Sequence, residues 1–162
     1  MDLKTEADAL RKVPMFTKLE LSKLRLLAFT SQLLTFEDKE ILFEQGDPSD
    51  SAYLIIAGDT EVLSGIGDEL VVADILGANQ LVGEMGVLGN APRSATIRAR
   101  GQVQALRIDG GMFLDLLTEN PGLALDVMRQ LSEKLARSHK QFEQAQAELN
   151  RLRAGRGAPG GA

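Results

Sequence analysis

A mainly β domain flanked by helices is the fold this sequence predicts, and three patterns predict it. Between Leu33 and Ile108, short apolar runs are broken by Gly, Asp, Asn and Pro roughly every ten residues, the spacing of an all-β sandwich or barrel. Before that stretch, apolar residues recur at helical spacing. After Gly110-Gly111 they do so again, over a longer run.

From Leu3 to Ala28, the residues Phe16, Leu19, Leu21, Leu24, Leu27 and Ala28 fall on helical positions, with Pro14 interrupting. Two helices joined by a tight turn are expected, capping one edge of a core. Hydrophobic residues are 44% of the chain but aromatics only 4%, so Leu, Ile, Val and Ala must fill that core. Gly58-Asp59 lies between Tyr53-Leu54-Ile55-Ile56 and Thr60-Glu61-Val62-Leu63, which predicts a type II′ hairpin turn there. Gly46-Asp47-Pro48 and Ser64-Gly65-Ile66-Gly67-Asp68 read as further turns. Gly65 and Gly67 are turn residues on this reading, not a nucleotide loop.

Met112 to Thr118 predicts a short helix, and Asn120-Pro121 starts a longer one reaching about Arg153. Its apolar positions hold a heptad register. Met128, Leu135, Phe142 and Leu149 form one set, and Leu131, Ser138, Ala145 and Leu152 the other. At 1.5 Å per residue the helix spans about 48 Å, too long for a small β domain to cover. The outer half is therefore expected to pack on a second copy. The alternative is an amphipathic helix folding back over its own domain. The chain divides into a helical segment 1–30, a β core 31–109, helices 110–153 and a Gly/Pro-rich tail 154–162 expected to be disordered.

Composition excludes several classes. A net charge of −5 offers no basic footprint for nucleic acid or an anionic membrane. Zero cysteines exclude disulfides, thiolate metal sites and a thiol nucleophile, and a single His is too few for a metal-dependent barrel enzyme. No catalytic constellation is present, so no enzyme activity and no metal are expected. The N-terminus lacks the apolar run of a signal peptide, and no window is apolar enough to span a membrane. A cytoplasmic protein is the expectation.

The most informative stretch is Gly83-Glu84-Met85-Gly86-Val87-Leu88-Gly89-Asn90-Ala91-Pro92-Arg93, followed by Ser94-Ala95-Thr96. Backbone amides at the start of a turn from Glu84 suit a phosphate, and Arg93 adds a planar fork of donors. Glu84, acceptor-only when ionised, suits a sugar hydroxyl. A surface Glu–Arg pair in a loop is the plainer account of the same residues. Upstream, Ile41-Leu42-Phe43-Glu44-Gln45-Gly46-Asp47-Pro48-Ser49-Asp50-Ser51-Ala52-Tyr53-Leu54-Ile55-Ile56-Ala57-Gly58-Asp59 makes the pattern specific.

With these two motifs in order, the chain resembles the cyclic-nucleotide-binding domains of the catabolite activator protein and protein kinase A regulatory subunit type. The resemblance runs from about Leu10 to about Ser138. It implies an eight-stranded jelly-roll β-barrel with an N-terminal helical segment, a short phosphate-binding helix and a long C-terminal helix. It also implies a non-catalytic sensor that takes cAMP or cGMP as ligand, needs no cofactor and relays binding through its last helix. The phosphate would be held by Arg93, the amides around Met85, Gly86 and Ala95, and the Ser94 hydroxyl. Glu84 would accept from the ribose 2′-hydroxyl beside the Gly83 backbone. Ser138 and His139 occupy the positions that meet the base, although a lone His on a helix is more often simply solvated.

One position departs from the family's pattern, and another bears on which nucleotide is taken, with cAMP expected over cGMP. Gly86 stands where the family's cassette usually has Ala or Ser, which loosens the turn. Ser94 resembles the bacterial cAMP-binding form, where cGMP kinases usually carry Thr. As partners the reading expects a second copy through the long helix and an unnamed downstream protein effector, with no direct nucleic acid and no membrane. Bacterial relatives place a helix-turn-helix after the long helix, and too few residues follow Arg153 for one. The alternative function is thus a sensor fragment, or a partner-dependent relative, of a transcription regulator lacking its DNA-binding motif.

Overall fold

The computed structural model describes residues 3–65 and 67–157. Helix α1 (Leu3–Arg11), a single 3-10 turn (Pro14–Phe16) and helix α2 (Leu21–Thr30) open the chain, as the break at Pro14 predicts. Six strands follow: β1 (Gln32–Phe36), β2 (Ile41–Phe43), β3 (Ser51–Ser64), β4 (Val71–Leu76), β5 (Leu81–Val82) and β6 (Thr96–Asp109). Helix α3 (Glu84–Gly89) lies between β5 and β6, and α4 (Gly110–Glu119) and α5 (Pro121–Gly157) follow β6. Residues fall into two compact units, Met1–Ala124 and Leu125–Ala162.

In the first unit every strand pairing is antiparallel, in the order β1-β6-β3-β4, with β2 on β6 and β5 on β3. The sheet is open, and it has six strands among the described residues where eight and a closed barrel were expected. The difference in strand number originates at Gly58. Instead of a hairpin turn, Gly58-Asp59 lies inside the continuous 14-residue β3, where the pairing with β6 shifts register on both sides of Ala57. Gly58 has φ of +90°, and a Cβ there would lie 2.3 Å from the Gln102 carbonyl oxygen. Opposite it, Gly101 has φ of +73° within the equally long β6. A glycine with φ > 0 and close backbone approach marks a bulge as readily as a turn. The two strands bend together there, so each does the work of two.

Ser51 to Ile55 are buried without alternation because both faces of β3 are covered at this end. One face meets an apolar cluster of Leu42, Tyr53, Ile55, Val82, Ile97 and Val103. On the other, Leu54 and Leu106, paired across β3 and β6, are fully buried under the helices. Phe16 and Phe113, both fully buried, meet edge-on with centroids 6.3 Å apart and tie the N-terminal helices to α4. Asp109 caps α4, its Oδ2 accepting from the Met112 amide at 3.1 Å. Asn120 closes α4 by donating from Nδ2 to the Leu116 carbonyl, and its Oδ1 accepts from Lys23 Nζ at 2.7 Å.

In the second unit α5 continues as one helix, begun by Pro121 where a missing amide hydrogen costs nothing. It runs to Gly157, so residues 154–157 are helical where a disordered tail was expected; Ala and Arg sustain the helix past Arg153 despite Gly155. The rest of that tail, 158–162, and Ile66 of the predicted turn lie outside the described residues. Among the described residues no helix is long and apolar enough to cross a membrane.

Candidate functional site: a buried arginine beside a short helix

Strand β5 ends at Val82, and Gly83 carries the chain into α3 with a left-handed φ of 82°. A second demand falls on the same glycine. A Cβ on Gly83 would lie 2.5 Å from Arg93 Nη1 and 3.2 Å from the Phe43 ring. Gly83→Ala is expected to lower stability by more than ~1 kcal/mol, since the left-handed backbone alone costs an alanine about that much. Urea unfolding would read this as a lower midpoint at unchanged slope, and an unchanged midpoint would refute the close packing.

Arg93 is 4% exposed, a rare burial for a guanidinium, and its partners come from three segments. Its Nη1 donates to the Gly83 carbonyl at 3.0 Å, and Nη2 donates to Ser51 Oγ at 3.2 Å and lies 3.6 Å from Asp50 Oδ1. The Ser51 hydroxyl in turn donates to Asp50 Oδ1 at 2.9 Å. Phe43 places its ring 4.0 Å from Arg93 Cζ, a cation–π contact that needs no hydrogen-bonding atom. Burial lowers the Arg93 pKa from its ordinary value, and the Asp50 carboxylate opposes that shift. Its Nε is buried and has no hydrogen-bond partner among the described residues.

The Arg93 backbone is fixed as firmly as its side chain. Its amide donates to the Asp47 carbonyl at 2.8 Å, and its own carbonyl accepts from the Gly46 amide at 2.9 Å. The turn before β3 is thus stitched to the turn before β6. Glu84, the first residue of α3, is 4% exposed, its carboxylate at the helix end that favours negative charge. The chain therefore buries an acid and a base at one short turn. A plain surface ion pair does not describe them.

Of the residues singled out by sequence, Gly83, Glu84, Met85 and Gly86 form the start of α3 with Arg93 bonded to its cap. Met85 and Ser94 are exposed, and Gly86 and Ala95 are half-buried. Ser138 and His139 belong to the second unit, where both are exposed and His139 Nε2 lies 3.0 Å from Glu143 Oε1, one turn further on. Sequence reasoning counted one arginine and missed a second. Arg107 Nη2 lies 3.5 Å from Asp50 Oδ2, so Asp50 stands between two guanidiniums. A cavity of about 250 Å³ opens beside them, lined by Phe43, Asp47, Asp50, Tyr53, Arg93 and Arg107. The signal for Asp50 was its place in the upstream motif. Arg107 carries no local signal, because only the β3–β6 pairing brings it opposite Tyr53.

Residues 33–120 match the cyclic nucleotide-binding domain family. Lysophospholipase nte1 of Neosartorya fischeri is 28% identical over 108 residues, which is 66% of this chain and 7% of that protein. Across curated relatives such as this one the chain spans between 6% and 27% of their length. The sensor domain of the transcriptional regulator DNR from Pseudomonas aeruginosa superposes with a TM-score of 0.77 at 21% identity, covering 87% of this chain and 93% of that one. The regulatory domain of Toxoplasma gondii PKA with cAMP gives 0.72 at 18% identity, over 81% of this chain and 50% of that one. These superpositions identify the open sheet with its flanking helices as the jelly-roll fold, without extending to function. A matched segment that runs from within β1 to the end of α4, with both motifs inside it, assigns the chain to the cyclic nucleotide-binding domain family.

Proposed function

We propose that the chain is a non-catalytic sensor that binds a 3′,5′-cyclic nucleotide, cAMP in preference to cGMP, and relays binding through α5. The observation that carries this reading is the buried Arg93, aligned by Gly83, Ser51 and Asp50 and left with a donor at Nε that no described residue uses. A single-charged phosphate seated there would meet charge-assisted donors from Arg93, the Ser94 hydroxyl and the amides of Met85, Gly86 and Ala95. Glu84 then accepts from the 2′-hydroxyl beside the Gly83 backbone. The base falls to Ser138 and His139 of the long helix, and its preference for cAMP rests on Ser94. No further cofactor enters.

A sensor must bind its ligand more tightly in one state than in the other. The last helix is the element assigned to that difference, and its heptad seam is assigned to a second copy of the chain. Met128, Leu135 and Phe142 support this, being 59%, 71% and 66% exposed on a helix whose register repeats every seven residues. A downstream protein effector would read the moved helix.

Isothermal titration of nucleotide-free protein with cAMP, cGMP and a cyclic dinucleotide tests the reading. Saturable 1:1 binding of cAMP, tighter than cGMP, is expected, and heat from neither mononucleotide would refute it. Glu84→Gln is expected to weaken binding less than loss of Arg93, because an amide oxygen still accepts from a hydroxyl. A 2′-deoxy cyclic nucleotide should bind the wild type more weakly than its parent does, and the variant, whose amide oxygen is the weaker acceptor, should lose less for the same missing hydroxyl. If the variant still discriminates the deoxy ligand as the wild type does, Glu84 does not hold the ribose.

A further inference from the structure

Gly86 is the third residue of α3 and, unlike Gly83, has no left-handed φ that calls for glycine. Within a helix a glycine costs about 0.5–1 kcal/mol relative to alanine, so some other demand keeps it. The demand is Ser49. A Cβ on Gly86 would lie 2.1 Å from Ser49 Oγ and 2.8 Å from Ser49 Cβ, and 3.3 Å from the Ala91 carbonyl oxygen. The Ser49 hydroxyl is itself buried and finds no hydrogen-bond partner among the described residues. It occupies the volume that a side chain at position 86 would take.

Ser49 is not free to withdraw. Two residues before it, the Asp47 carbonyl accepts from the Arg93 amide at 2.8 Å. One residue after it, the Asp50 carbonyl accepts from the Gly110 amide at 2.8 Å, and the Asp50 carboxylate faces Arg93 and Arg107. A Cβ on Gly110 would meet that same Asp50 carbonyl at 2.8 Å, so the loop is closely backed from behind as well. On the other side, α3 is a six-residue helix whose cap carbonyl is held by Arg93 and whose Gly86 carbonyl accepts from the Ala91 amide at 3.0 Å. The contact is therefore pinched between a loop and a short helix that are each held from behind, so added bulk there strains the turn that carries the Met85 and Gly86 amides.

We propose that Ser49 is a positioning residue for the ligand-binding turn: by filling the space beside Gly86, it sets where the amides of Met85 and Gly86 stand relative to the Arg93 guanidinium. The inference rests on the function proposed above and adds to it a residue outside the turn. Ser49 touches no ligand in this account. It acts through the fixed loop on one side and the amide-bearing helix on the other, and glycine at 86 and serine at 49 are each the consequence of the other.

The test is a mutant cycle on the full chain, read as the cAMP dissociation constant by calorimetry at a temperature well below the melting transition. Gly86→Ala is expected to weaken cAMP binding roughly tenfold, within the usual range for coupled contacting residues. Adding Ser49→Gly, which removes the two atoms that lie within 3.0 Å of the new Cβ and leaves only the Ala91 carbonyl oxygen at 3.3 Å, is expected to bring affinity back to within about threefold of the wild type. A purely structural contact would lower the melting temperature of Gly86→Ala while leaving its dissociation constant alone. That outcome overturns the proposal, as does a double variant no tighter than Gly86→Ala. Should Gly86→Ala not fold, Ser49→Thr crowds the same contact from the loop and must show the same loss; wild-type affinity in Ser49→Thr would refute it. A wild type that binds no cyclic mononucleotide would fail the functional reading itself, a result separate from any of these.

Discussion

Arg93→Ala is expected to remove at least 30-fold of cyclic-nucleotide affinity while leaving a folded domain. Truncating one partner of a buried, hydrogen-bonded charge pair costs about 2–5 kcal/mol, and ~2 kcal/mol is already about 30-fold. Several features keep the fold intact. The bonds from Arg93 to Asp47 and Gly46 are made by its backbone and survive the substitution. Asp50, whose side chain is 69% exposed, keeps Arg107 at 3.5 Å and is not left as a buried lone charge. Ser51 keeps its bond to Asp50. Arg93→Lys separates charge from geometry, because an ammonium group cannot bond Gly83 and Ser51 through one planar fork. Its affinity should fall between those of the wild type and the alanine variant. Calorimetry gives the affinities and thermal unfolding the fold. An alanine variant that binds within tenfold of the wild type would remove Arg93 from the phosphate site.

How much of this was legible in the sequence depends on whether the deciding interaction is local. Pro14 and Asn120-Pro121 act on their own neighbours, and the helix breaks they signal are where the structure has them. Gly83 and Glu84 are likewise readable, since a glycine that turns the chain and an acid that starts a helix act within one turn. Gly58 was misread because glycine followed by Asp satisfies a hairpin turn and a bulge equally well. What decides between them is the Gln102 carbonyl on β6, far along the chain. The same holds for the site. Arg93 could be named from its motif, but its burial depends on Phe43 and Ser51, and the second guanidinium enters only through the pairing of β3 with β6. Gly86 looked like a looser turn by sequence, whereas Ser49 fills the space and makes the contact tight. Distance along the chain, more than residue type, set the limit.

Phe142→Glu and Leu135→Glu are expected to convert a dimer into a monomer. The helix from Pro121 to Gly157 holds Met128, Leu135, Phe142 and Leu149 at seven-residue intervals, the repeat that two helices need to keep one seam in register. In the single chain Leu135 and Phe142 are 71% and 66% exposed. Glutamate at either place should therefore change the stability of one chain by no more than about 0.5 kcal/mol, as for most surface sites. Within a dimer the same carboxylate would be stripped of water against an apolar partner with nothing to accept from, which costs several kcal/mol for each copy. Association and folding thus respond to the substitution very differently. Light scattering should give the mass of two chains for the wild type at micromolar concentration and of one chain for either variant, and thermal unfolding should depend on protein concentration in the wild type but not in the variants. Ser138, the polar residue in the same seam, provides a second check. Ser138→Leu should tighten the dimer by removing the polar break, and if that position also meets the base it should weaken cyclic-nucleotide binding at the same time. A wild type with the mass of one chain at every concentration, with and without cAMP, would refute the seam as an interface and leave the Arg93 site untouched.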